Sequence, residues 1–186
     1  STDENKEQEM SYIQHLIGQQ IEGLILNTTG QNNSEIITIS HTLPIVLIER
    51  RVGELGFPGD YVSSNNRDGI RQLTSSLLTL GHRKIGFINC EGSVSTGLER
   101  FEGFKDAMSS IGITVDKDYP YHYSCSSFSI NNGFQACDVL MRMPERPTAI
   151  IAANNTLAIG TLQYLKLNQI QIPDDVSLLS YGNIEN

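Results

Sequence analysis

Seven short apolar runs alternate with six amphipathic helical patterns along this chain, and that alternation limits the folds open to it. The runs are "IEGLIL" (21–26), "LPIVLIE" (43–49), "DYVSS" (60–64), "KIGFINC" (84–90), "YPYHYS" (119–124), "TAIIAAN" (148–154) and "VSLLSYG" (176–182). Helical periodicity covers 5–18, 33–42, 67–80, 96–111, 130–142 and 155–168. Strands that alternate with helices of this length predict an α/β fold of parallel sheets with helices on both faces. Short turn signals, "LGH" (80–82), "IGI" (111–113) and "IPDD" (172–175), punctuate the pattern. The first element is a helix with no strand before it, and the last is a strand with no helix after it. Such ends would leave sheet edges and faces bare, so the expectation is a fold with further elements beyond both ends.

The 186 residues are 39% apolar and 18% charged, enough to bury a core as one large domain or two small lobes. No segment reaches the ~20 apolar residues of a membrane-spanning helix. The opening "STDENKEQEM" is polar and acidic, unlike a signal peptide. The net charge is -8, and neither half is basic: 5 basic against 10 acidic residues up to Gly81, then 8 against 11. A surface of that sign repels phosphate backbones, so this part of a protein is not expected to bind DNA by itself. Arg50, Arg51, Arg67 and Arg71 form the densest basic group in the first half and read as solvated surface charges.

Cys90, Cys125 and Cys137 are odd in number and lack CxxC spacing, which predicts reduced, buried thiols. His15, His41, His82 and His122 are scattered, with neither HExxH nor a Cys/His cluster, so no metal and no cofactor is expected. The chain has no GxSxG elbow, no Walker A loop and no GxGxxG after a strand. Paired carboxylates occur at Glu99 with Glu102, Asp116 with Asp118 and Asp174 with Asp175; they read as solvated faces or, after Pro173, a turn cap. Triplets of the N-x-S/T type begin at Asn27, Asn32 and Asn154 and matter only in a secretory setting. The expectation is a protein that is not an enzyme.

"STGLERFEGFKDAM" (95–108) is the most informative stretch. Thr96 and Glu99 have capping-box spacing, which predicts a helix start near Thr96. Phe101, Phe104, Met108 and Ile111 form one apolar stripe, and Gly103 leaves room for another backbone. At ~100° per residue, Arg100 lies roughly 60° from the centre of that stripe, bordering the buried face. The strand "KIGFINC" precedes the helix, so its N-terminus lies at the carboxyl edge of the sheet, where open α/β sheets bind ligands. The residues themselves leave two readings of Arg100: a grip on a ligand, or an aliphatic stem covering the end of the stripe.

"GHRKIGFI" (81–88), "STGLERFEGFKDAM" (95–108), "RPTAIIAANNTLAIGTLQYL" (146–165) and "IPDDVSLLSYGN" (172–183) resemble, in order and spacing, the LacI/GalR family of bacterial transcription regulators. "GLIL" (23–26), "PIVLIERRV" (44–52) and "NNRDG" (65–69) fit the same family's ligand-sensing domain. The resemblance implies a two-lobed, periplasmic-binding-protein-like (type I) fold, each lobe a parallel sheet flanked by helices. Residues 1–82 then make up most of an N-terminal lobe and 83–186 most of a C-terminal lobe, with a small effector held in the cleft between them. The helix-turn-helix headpiece, hinge helix, first strand and recrossing tail of that family have no counterpart here.

The resemblance also carries over effector-binding positions one at a time. The arginine of the "ER-x-x-GF" motif falls on Arg100, and the small polar residue four before it on Thr96. An aromatic five before the next helix glycine falls on Phe128. The acidic residue just before a helix glycine falls on Asp68, at the mouth of the first lobe, where capping its helix is the other reading. The asparagine after the "IIAA" strand falls on Asn154. Arg and Asn suit hydroxyl or ring acceptors, and an aromatic covers an apolar face. Two departures stand out: Gly182 replaces the family's usual aspartate in "SYGN", and Asn154-Asn155 replaces the usual "ND" pair.

By resemblance, then, the chain is expected to be the effector-sensing part of a cytoplasmic, homodimeric transcriptional repressor. Its effector is a sugar, sugar phosphate or nucleobase, and it touches DNA only through a headpiece outside these residues. The loss of two carboxylates favours an anionic effector such as a phosphorylated sugar. A solute-binding protein of a sugar transporter shares the fold and is the alternative; a nucleotide- or sugar-using enzyme is the distant third.

Overall fold

The computed structural model describes residues 5–53, 56–92 and 94–182. All thirteen expected elements are among them. In order they are α1 (Lys6–Gly18), β1 (Leu24–Leu26), α2 (Asn33–Ser40), β2 (Ile45–Ile48), β3 (Asp60–Val62), α3 (Asn66–Thr79), β4 (Ile85–Asn89), α4 (Ser95–Ser109), β5 (His122–Ser124), α5 (Ile130–Met141), β6 (Ala149–Ala152), α6 (Asn155–Leu167) and β7 (Ser177–Ser180). Every strand pairing is parallel. The chain divides into two compact units, one of residues 1–64 with 93–96 and one of residues 65–92 with 97–186.

The first unit is a three-stranded sheet in the order β1-β2-β3. Ile13 of α1 and Ile36 of α2 join Ile45 and Leu47 in one cluster, so both helices cover the same face of the sheet. The register places Ile25 beside Val46 and Ile48 beside Val62 on the opposite face, where Ile25, Ile48 and Val62 are exposed. A buried carboxylate organises the loop after β1. Glu9 of α1 accepts hydrogen bonds from the Thr29 amide (2.7 Å), the Thr29 hydroxyl (3.0 Å) and Asn32 Nδ2 (2.7 Å). Three donors converge on one carboxylate, and their directional bonds pin this loop to α1.

The second unit is a four-stranded sheet in the order β5-β4-β6-β7. The central strands β4 and β6 are buried at every position, as expected of a parallel sheet covered on both faces. Phe87 of β4 stacks on Phe104 of α4, with ring centroids 4.6 Å apart. A Cβ on Gly103 would stand 2.1 Å from the Arg67 carbonyl, so the bare glycine is what lets α4 pass over α3. Helices α5 and α6 pack together on the other face. Side-chain caps start three of these helices: Asn65 accepts from the Asp68 amide, Ser129 from that of Asn132, and Asn154 from that of Leu157.

Two expectations need correction, and the observed division of the chain stands beside the expected one. Helix α4 begins at Ser95, so Thr96 is its second residue and not its cap; the buried Thr96 side chain serves the interior. Ile111 lies past the end of α4 and is exposed, so the stripe ends at Met108. The units divide at Ser64/Asn65, whereas the lobes expected from the sequence divide at 82/83. Helix α3 accounts for that difference, because its Ile70, Leu77 and Leu78 enter the same core as β4, α4 and β6.

Candidate functional site

In the second unit, the chain leaves β4 toward α4 on one face and leaves β6 toward α6 on the other. That divergence marks the carboxyl ends of β4 and β6 as the usual ligand position in open α/β sheets. The residues gathered at that edge come from four segments far apart in sequence.

Arg100, in the second turn of α4, is only 9% exposed. Its Nε donates to Asn66 Oδ1 at 2.9 Å, and Asn66 Nδ2 donates to Glu99 Oε2 at 3.1 Å. Its guanidinium carbon lies 5.8 Å from the Phe128 ring centroid and 5.0 Å from that of Tyr181. A guanidinium flanked by two aromatic faces and one amide is held in a fixed orientation while keeping its charge. Tyr181 owes its position to Gly69: a Cβ there would stand 2.3 Å from Tyr181 Cε2.

The structure brings Arg100 and Phe128 together and distributes the other candidates more widely. Thr96 is buried one turn before Arg100 on the same helix. Asn154 is half-buried at the carboxyl end of β6, and its side-chain oxygen caps α6. Asp68 stands in the first turn of α3, in the second unit, and its helix is capped by Asn65. Its carboxylate accepts from Arg71 and Gln72, bonds that hold it below the usual aspartate value. Gly182 follows β7 with φ +123°, a backbone conformation that side chains other than glycine's rarely adopt. Asn66 and Tyr181 are the residues the sequence reading missed. Both lie inside stretches already singled out, "NNRDG" and "SYGN", beside the residues chosen from them.

The remaining chemistry-bearing groups are engaged elsewhere. Arg67 pairs with Asp106, Arg50 donates to the Thr28 carbonyl and Arg51 stacks over Tyr61, so these arginines are bonded and not merely solvated. Asp175 accepts from the Gln171 amide and closes the turn around Pro173. Cys90, Cys125 and Cys137 are all buried, and burial pushes the Cys125 and Cys137 thiols up to about 12. Among the described residues no group of three or more His, Cys, Asp or Glu side chains gathers to hold a metal, and no helix is long and apolar enough to cross a membrane. An open groove of about 640 Å³ along α6, lined by Ile159, Leu162, Lys166 and Ile172, contains none of the residues around Arg100.

The pattern of the family described as periplasmic binding proteins and sugar binding domain of the LacI family matches residues 1–186. The ribose operon repressor of Haemophilus influenzae is 30% identical over 173 residues, which are 93% of this chain and 51% of that protein. The HTH-type transcriptional repressor PurR of Vibrio atlanticus is 27% identical over 181 residues, 96% of this chain and 53% of that protein. The chain thus spans about half the length of the curated relatives it matches. The crystal structure of the transcription regulator CcpA of Lactococcus lactis superposes with a TM-score of 0.84 at 20% identity, over 98% of this chain and 66% of that one; at that identity it speaks for the fold alone. With its whole length inside the family's pattern, this chain belongs to the family of periplasmic binding proteins and LacI-type sugar-binding domains.

Proposed function

We propose that this chain is the effector-sensing region of a transcriptional repressor, and that a sugar, sugar phosphate or nucleobase binds at the carboxyl edge of the second unit's sheet. The observation that carries this reading is Arg100, which is buried, fixed by Asn66 and flanked by Phe128 and Tyr181. Arg100 contributes charge and donors, Phe128 and Tyr181 an apolar wall, and Asn154 and the Gly182 backbone the polar margin. In this reading Asp68, which is tied to Arg71, guards the entrance. DNA binding belongs to a helix-turn-helix headpiece outside these residues, and the complete regulator works as a cytoplasmic homodimer. Effector binding acts on the operator only to the extent that its affinity differs between the regulator's two conformations. The H. influenzae relative is named for ribose, which makes ribose and its phosphate the first effectors to try.

A thermal-shift screen with D-ribose, D-ribose 5-phosphate and adenine tests the reading. At least one should raise Tm, and Arg100→Ala should abolish that rise while the unliganded variant still unfolds cooperatively. An unchanged rise in Arg100→Ala would place the site elsewhere.

A further inference from the structure

A second polar cluster lies beside the first two turns of α4. Glu91 sits two residues past β4, and its Oε1 is 2.8 Å from Asn89 Nδ2 and 2.8 Å from His122 Nε2. Ser124 adds a hydroxyl to the same carboxylate. The Glu91 and His122 side chains are only 15% and 17% exposed, so their bond is shielded from solvent competition. Asn89 is fully buried and its Nδ2 also donates to the Gly97 carbonyl at 2.9 Å, inside the first turn of α4. The imidazole of His122 lies flat on Phe101, with centroids 4.3 Å apart and an interplanar angle of 15°. Phe101 is the residue after Arg100. The cluster therefore touches the helix at Gly97 and again at Phe101, on either side of the arginine in sequence.

We infer that Glu91 and His122 are positioning residues: their hydrogen bond clamps the first two turns of α4 to the ends of β4 and β5, and so sets where Arg100 presents its guanidinium. Its bearing on effector affinity rests on the function proposed above; the clamp on α4 does not. Without the bond, Glu91 would be a half-buried carboxylate left with Asn89 and Ser124, and the His122 ring would have no anchor on the loop. Other titratable groups near the pair are the buried thiols of Cys90 and Cys125, and Lys105, which lies over the Phe101 ring and is held by Glu102.

Hydrogen exchange of the unliganded full chain reads the clamp directly, with the amides of 97–101 as probes and those of α5 as the internal reference. In His122→Phe and Glu91→Leu the probe amides should exchange about tenfold faster, with α5 unchanged. The double variant should exchange no faster than Glu91→Leu alone, because that substitution already removes the one bond that His122→Phe breaks. His122→Gln, which keeps a nitrogen donor for Glu91, should restore protection. Unchanged exchange in both single variants, or an equal increase in α5, overturns the clamp. Titration with D-ribose, D-ribose 5-phosphate and adenine separates the two readings. If exchange responds and none of the three binds the wild type, the clamp stands and the proposed function fails. If one binds the wild type and His122→Phe equally well, the positioning role is overturned.

Discussion

Asn66, the first residue of α3, accepts the Nε–H of Arg100 at 2.9 Å across the contact between two helices 34 residues apart in sequence. Both side chains are buried, so the bond is made where water cannot substitute for either partner. Asn66→Ala leaves the Arg100 Nε–H without that acceptor, a change that costs about 1–3 kcal/mol. The expected outcome is a lower urea midpoint with an unchanged slope. Affinity for whichever probe raises Tm should fall about tenfold, or ~1.4 kcal/mol.

Gly69 separates stability from binding. An added methyl would occupy the space of the Tyr181 ring, 2.3 Å from Cε2, and would move that ring off Arg100. Helix propensity gains up to about 1 kcal/mol in the same substitution, which offsets part of the crowding. Gly69→Ala should therefore leave Tm nearly unchanged while weakening effector binding about fivefold or more by calorimetry, an effect on the scale of one lost cation–π contact. Tyr181→Phe keeps the ring and should bind like the wild type.

At Gly182 the backbone, and not a lack of space, resists a side chain. A Cβ there would meet the Asn155 amide nitrogen at an ordinary 3.6 Å, but φ is +123°. Gly182→Asp, which restores the family's usual residue, should cost about 1–3 kcal/mol of strain, and Gly182→Ala the same. Matching thermal melts of the two variants would show that conformation sets the cost; a stable aspartate variant would show that the loop relaxes.

Glu91 makes stability depend on acid. Burial raises its carboxyl, but hydrogen bonds from His122, Ser124 and Asn89, with the imidazole's charge, outweigh burial and hold it below the ordinary glutamate value. A folded-state value below the unfolded one stabilises the protein above the unfolded value, and that contribution is lost as pH falls through the folded value. Melts from pH 6 down to ~3 should therefore fall more steeply for the wild type than for Glu91→Gln, with the curves diverging only below about pH 5. Parallel curves would show that the pairing adds no linkage.

The thirteen elements were legible because their signal is local. A short apolar run such as "KIGFINC", or the 3.6-residue period in the helix of Arg100, needs only neighbouring residues, and the order of elements then implies parallel sheets. The resemblance was legible for a similar reason, since motifs at fixed spacing survive as sequence. Arg100 was visible at the border of its stripe, and Gly103 as a point of close approach.

What surrounds Arg100 was decided by the tertiary structure. Asn66 and Tyr181 carry no pattern that ties them to an arginine on another helix. Their meeting depends on how closely α3 crosses α4 and on the room that Gly69 leaves. The allegiance of α3 was hidden for the same reason: an apolar face shows that a helix is buried, not which core buries it. Only the packing of Ile70, Leu77 and Leu78 into the core of the second sheet settled that, and with it the side of the division on which Asp68 lies. Sequence periodicity determines which face of an element is apolar; the burial of that face against distant segments determines which polar groups are held beside it.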